Sequence, residues 1–123
     1  MADNLIELES KAIIKQKEIC IKYRADFLLT PFNSVIGIAL DTFGGSGVPI
    51  NGLRHSARNE DNAIWYIWAG EYSSADDFFK PVHVSHLLEI CPKALHYLGL
   101  TSGWRFLFDK TYEDVWYDEN LLS

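Results

Sequence analysis

The sequence predicts an α+β fold, a single domain over residues 1–123 in which a long N-terminal helix and one or two short helices pack on a largely antiparallel sheet. Three observations predict it. Apolar residues recur at helical spacing over the first two dozen positions, and short β-branched or aromatic runs separated by turn residues follow. The order helix, strands, helix, strands is that of segregated elements and not of repeating βαβ units. With 123 residues, 48% of them apolar and 14% aromatic, the chain can bury a core without disulfide or metal staples, and no shift of composition divides it.

The first helix is expected from Asn4 to about Arg24. Leu5, Leu8, Ala12, Ile13, Ile14, Cys20 and Ile21 approximate its apolar stripe, with Lys11, Lys15, Lys17, Glu18 and Lys22 mostly on the other side. Asn4 is placed to cap it, and Glu7, three residues on, to complete a capping box. After Phe27-Leu28-Leu29 and Thr30-Pro31, the run Val35 to Leu40 has strand character. Asp41 to Gly52 reads as loop, because Gly44, Gly45 and Gly47 permit unusual backbone angles and Pro49 blocks regular pairing. A second polar loop, Ser56 to Asn62, leads into Ala63 to Ala69, where apolar side chains at every position imply a central strand covered on both faces.

Phe78 to Val84 is an edge or strand-entry segment on account of Pro81. Ser85 is placed to cap a helix, and His86 to Ile90 and Lys93 to Leu98 form two short helices or one jointed at Pro92, ended by Gly99. Trp104, Phe106 and Phe108 then alternate onto one face of a strand, and Tyr112 to Trp116 forms a last one after the Asp109-Lys110 turn.

Charge narrows the partners. Eleven Lys and Arg against seventeen Asp and Glu leave a net charge of −6, which repels phosphate backbones, argues against nucleic acid and attracts a basic partner. Met1-Ala2-Asp3-Asn4 shows no basic leader, and no apolar run approaches the ~18 residues of a membrane span. A cytoplasmic location is therefore expected, and Cys20 and Cys91, far apart and without CxxC spacing, are expected as reduced core thiols.

Catalytic chemistry has no motif here. The glycine-rich loop lacks the Lys-Ser/Thr pair of a phosphate-binding loop, since Val48-Pro49 follows Gly47. His83 and His86, with His55 or Cys91, have a spacing that points weakly to zinc, and Arg54-His55 could meet an anionic substrate. No Gly-x-Ser-x-Gly elbow or His-Glu-x-x-His signature sets a geometry for these residues, so neither enzyme activity nor a cofactor or metal is expected. A small metal-dependent or hydrolytic enzyme built on Arg54, His55, His83 and His86 is one rival reading. Another is a small-molecule module with a pocket beside Trp65, Trp68 and Trp104.

The C-terminal third is more informative. Tyr112, Trp116 and Tyr117 are interleaved with Asp109, Glu113, Asp114, Asp118 and Glu119, and aromatic anchors ringed by charge suit a specific protein interface. The alternative is a solvated final strand whose aromatics face the core. Asp76 and Asp77 beside Phe78 and Phe79 form a second such patch, on a loop.

Several segments in order carry a resemblance. They are Ile50-Asn51-Gly52-Leu53-Arg54-His55, Trp65 to Glu71, Phe78 to Leu87, Gly99-Leu100 with Gly103-Trp104-Arg105-Phe106, and Tyr112 to Asp118. Over roughly Ile19 to Leu122 the chain resembles the immunity-protein-thirty-three-like domains of bacterial polymorphic toxin and contact-dependent competition systems. The resemblance implies a cytoplasmic antidote that binds a cognate protein toxin and blocks its active site or substrate access. It supplies no catalytic residues. Many toxins of such systems are basic nucleases, which an acidic inhibitor attracts. The partner-binding residues expected on this reading are Asp76, Asp77, Tyr112, Glu113, Asp114, Trp116 and Asp118, and the oligomeric state is left open.

Overall fold

No glycine or proline interrupts the chain from Ala2 to Tyr23, and the computed structural model shows one α-helix over that whole span (α1, Ala2–Tyr23). The structure describes residues 2–44, 48–56 and 64–122. The glycines expected at Gly45 and Gly47, most of the loop expected from Ser56 to Asn62, and Ala63 lie outside the described residues. Two compact units are distinguished, Met1–Ser34 with His83–Thr101 and Val35–Val82 with Ser102–Ser123.

In the first unit, α1 turns only part of its expected stripe inward. Ala12 and Cys20 of that stripe are buried, joined by Gln16 from outside it, whereas Leu5, Ile14 and Ile21 are exposed. Gln16 is tolerated at the centre because its Nε2 donates to the Leu95 carbonyl at 2.9 Å. Asn4 lies within the helix and so does not cap it, and Glu7 faces Lys11 one turn on, 3.5 Å away. The Thr30 hydroxyl donates to Leu98 O at 2.7 Å and the Phe32 N–H to the Glu9 carboxylate at 2.7 Å. The returning chain forms a 3-10 turn over Val84–His86, a short helix (α2, Leu87–Ile90) and a 3-10 helix over Pro92–Tyr97. The joint expected at Pro92 is present, since Cys91 leaves helical geometry at φ −162° before the proline starts the next turn. Ser85 lies inside the 3-10 turn and caps nothing, because the turn starts one residue earlier at Val84.

Cys20 is 4% exposed, and its Sγ donates to Gly99 O at 3.4 Å. Burial, with the nearby Asp26 carboxylate, raises its thiol pKa. Cys91 is half-buried, less deeply than a core thiol, because it sits at the break between two short helices. We expect Cys20 to react with a thiol-specific disulfide reagent at least ~10-fold more slowly in the native protein than after denaturation. A native rate for Cys20 equal to the denatured one would contradict its placement.

The second unit is built on a sheet. Its strands are β1 (Val35–Ile38), β2 (Ile50–Arg54), β3 (Trp65–Ala69), β4 (Lys80–His83, whose last residue belongs to the first unit), β5 (Trp104–Phe108) and β6 (Glu113–Tyr117). Among the described residues the order is β4-β1-β3-β2-β5-β6. β1 runs parallel to β3, while β3–β2, β2–β5 and β5–β6 are antiparallel, so the architecture is α+β with a largely antiparallel sheet. The all-apolar β3 lies between β1 and β2, as a central strand should, and β4 with Pro81 takes an edge, where a missing N–H costs no ladder bond.

β2 falls where loop is expected up to Gly52. Gly52 pairs with Ile67 on one side and Phe106 on the other, and the Phe106 ring occupies the space a side chain there would fill. The glycine serves close approach in a central strand and not a turn. Among the described residues of the preceding segment, Leu40–Phe43 forms a 3-10 turn whose Thr42 hydroxyl donates to Ala39 O at 2.6 Å and accepts the Ala69 N–H at 2.9 Å.

Candidate functional site

Successive residues of a strand point to opposite faces, and the register shows which side chains share one. Ile36, Ile38, Ile50, Trp65, Ile67, Phe106, Phe108 and Val115 belong to one face and are buried. On the other face, Gly37, Tyr66, Leu53, Arg105 and Trp116 stand in one row across β1, β3, β2, β5 and β6. Trp68, Asn51, Leu107 and Asp114 form the neighbouring row.

This second face is aromatic. Tyr66 packs edge-on to Phe79 at 5.0 Å between ring centres, and Trp68 meets Tyr72 at 5.5 Å and Phe79 at 6.0 Å. Phe78 completes the cluster, 4.8 Å from Phe79 and 5.6 Å from Tyr72. The segment 71–79 thus folds back over β3, which explains why Trp68 is only 5% exposed and why β3 is apolar on both sides. Gly37 makes this possible. A Cβ there would stand 2.7 Å from the Tyr66 ring and 3.4 Å from Phe79, so only glycine lets tyrosine reach across β1.

Between these rings and the next strands lies an open cleft of about 450 Å³, lined by Leu53, His55, Tyr66, Trp68, Tyr72, Phe79 and Arg105. His55 stands edge-on to Tyr66 at 5.5 Å. Arg105 is held from two sides. Its Nη1 lies 3.2 Å from Asp118 Oδ2, and its guanidinium stacks 5.4 Å from the Trp116 ring centre. The cleft therefore combines aromatic walls with one positioned, charge-compensated cation.

The expected interface residues are only partly brought together. Asp114 and Trp116 share the cleft's face, and the exposed Asp76 and Asp77 lie on the segment that carries Tyr72, Phe78 and Phe79. Glu113 alternates to the opposite face with Val115. Tyr112 sits in the β5–β6 turn, where the Asp109 carboxylate accepts its N–H at 2.8 Å, and its ring is exposed. Asp118 is engaged within the fold by Arg105.

The polar set is divided between the two units, Arg54 and His55 in the second and His83 and His86 in the first. Arg54 is 2% exposed on the buried face, 5.7 Å from the Trp65 ring centre, and burial lowers its pKa to about 10. His55, the next residue, points to the other face. His83 and His86 belong to the first unit, where His83 lines a cleft of about 330 Å³ with Glu9 and Ser85 and His86 Nδ1 lies 4.0 Å from Glu89. Among the described residues, no three His, Cys, Asp or Glu gather to hold a metal ion. Trp65, Trp68 and Trp104 share no pocket either, since alternation puts Trp65 and Trp104 on the face opposite Trp68.

Sequence reasoning missed Leu53, Tyr66, Tyr72, Phe79 and Arg105 as one site. One signal was present: a glycine at position 37 inside a β-branched run marks close approach of another group.

No helix among the described residues is long and apolar enough to cross a membrane. No curated protein and no solved structure matches the chain. The Imm33-like domain matches residues 15–118, a span that takes in all six strands and the cleft. By that match over most of its length, the chain belongs to the Imm33-like domain family, which its name marks as an immunity-protein family.

Proposed function

We propose that the chain is a cytoplasmic immunity protein that binds a cognate toxin domain and neutralises it by direct contact, without catalysis. The observation that carries this reading is the aromatic, solvent-facing side of the sheet. Tyr72 is 60% exposed and Tyr66, Phe78, Phe79 and Trp116 are half-buried around an open cleft, a concentration of rings that an isolated soluble surface seldom shows. Aromatic side chains of this kind anchor protein interfaces because they bury much area at little entropic cost.

Charge selects the partner. Asp76, Asp77 and Asp114, with the net charge of −6, steer a basic toxin onto this face, and Tyr112, exposed in the β5–β6 turn, extends the contact, while Glu113 on the opposite face adds to the overall acidity. Asp118 contributes by holding Arg105 in place. Covering the toxin's catalytic or substrate-binding surface then suffices for protection.

The test begins with affinity capture from the native host at low and moderate salt, followed by expression of the captured protein alone. Growth arrest by that protein, relieved by this chain but not by its Asp76→Lys/Asp77→Lys variant, is the expected result. Equal protection by the variant would remove the acidic residues from the interface, and a captured protein without toxicity would remove the toxin reading.

A further inference from the structure

α1 carries more apolar surface than its own unit covers. Ala12, Gln16 and Cys20 are buried, while Ile6, Ile14 and Ile21 are 64%, 59% and 78% exposed. At 3.6 residues per turn these three fall within about 80° of one another, a line about 22 Å long. Ser10 and Lys17 stand between them, and three isoleucines this exposed along one helix face make a surface suited to contact. Lys17 lies in the same line, where its aliphatic stem extends the apolar strip.

The strip is nearly symmetric about Ile13 and Ile14, and the charges are antisymmetric about the same point. Three acids and one base, Asp3, Glu7, Glu9 and Lys11, give Ala2–Ala12 a net −2, while Lys15, Lys17, Glu18 and Lys22 give Ile13–Tyr23 a net +2. A parallel copy would set like charge against like. An antiparallel copy, turned about a two-fold axis near Ile14, sets Ile6 against the partner's Ile21 and the acidic half over the basic half. The helix dipoles then also oppose each other favourably. Ile14 forms one lip of an open cleft of about 360 Å³ walled by Leu88, Pro92 and Leu95, which has room for side chains of the second helix.

We infer that α1 is a homodimerisation helix on which two copies of this chain pair antiparallel along Ile6, Ile14 and Ile21. The inference is independent of the toxin reading, because it uses a different unit and a different partner.

Sedimentation equilibrium of the purified full chain over the micromolar range tests it. The expected species has twice the 14.1 kDa chain mass. Ile14→Glu and Ile21→Glu should each give monomer with unchanged helical circular dichroism, since both positions are exposed in one copy. Lys17→Glu/Lys22→Glu and Glu7→Lys should each weaken self-association, and mixing the two variants should restore a dimer. A wild-type monomer throughout the range, or a dimer that survives both isoleucine substitutions, would overturn the inference. A mixture that stays monomeric would overturn the antiparallel arrangement.

Discussion

Replacing Gly52 by alanine is expected to destabilise the protein by about 3 kcal/mol, the upper end for overpacking a core, and to lower its melting temperature by roughly 10 °C. β2 lies between β3 and β5, and a Cβ at Gly52 would enter the Phe106 ring. That ring has nowhere to go. Phe106 is 1% exposed, stacked on Phe108 at 6.0 Å and leaning on Trp65 at 5.6 Å, so relief must come from the backbone of a central strand. Gly37→Ala is the contrasting case. Its Cβ would meet the Tyr66 ring at 2.7 Å, but Tyr66 is only half-buried and swings outward, at a cost of about 1 kcal/mol. The price of that movement is a reshaped cleft. Thermal and denaturant unfolding of both variants measures the difference, and a Gly52→Ala melt indistinguishable from wild type would show that Phe106 is not confined.

Tyr72→Ala should weaken the toxin complex by roughly 30-fold, equivalent to about 2 kcal/mol, while leaving stability within a few tenths of a kcal/mol. The tyrosine is 60% exposed, so its removal opens no core cavity, yet it stands edge-on to Trp68 and Phe78 at the mouth of the cleft. Tyr112→Ala, exposed but in the β5–β6 turn away from the cleft lining, should cost a smaller factor. Titration calorimetry with the captured toxin domain distinguishes the two. Equal affinities for wild type and Tyr72→Ala would move the interface off this face of the sheet. Salt separates the acidic contribution from the aromatic one, since steering by Asp76 and Asp77 acts on the association rate and fades with ionic strength, whereas the loss at Tyr72 appears in dissociation.

Much of the local structure was legible because local chemistry decides it. A run free of glycine and proline makes α1, Pro81 assigns β4 to an edge, and Pro92 separates two short helices. The alternation of Trp104, Phe106 and Phe108 likewise announces β5. The family was legible too, because its motifs are strung along the chain in order.

Tertiary structure alone decided the rest. Apolar residues lie on nearly every side of α1, so the inward face is chosen by what packs against it, and a glutamine at position 16 goes inside where the Leu95 carbonyl, 79 residues away, accepts a hydrogen bond from its Nε2. Gly52 reads as a loop residue until Phe106 lies over it. The site is of the same kind. Leu53, Tyr66 and Arg105 belong to three strands, and only the register, which sets Leu53 opposite both others, makes one cleft of residues that are far apart in sequence. By itself the sequence determined the long helix, most of the strands and the family they compose, but not β2, which reads as loop up to Gly52. Which side chains meet was decided by strand pairing, because a shift of one residue would carry every one of these rings to the other face.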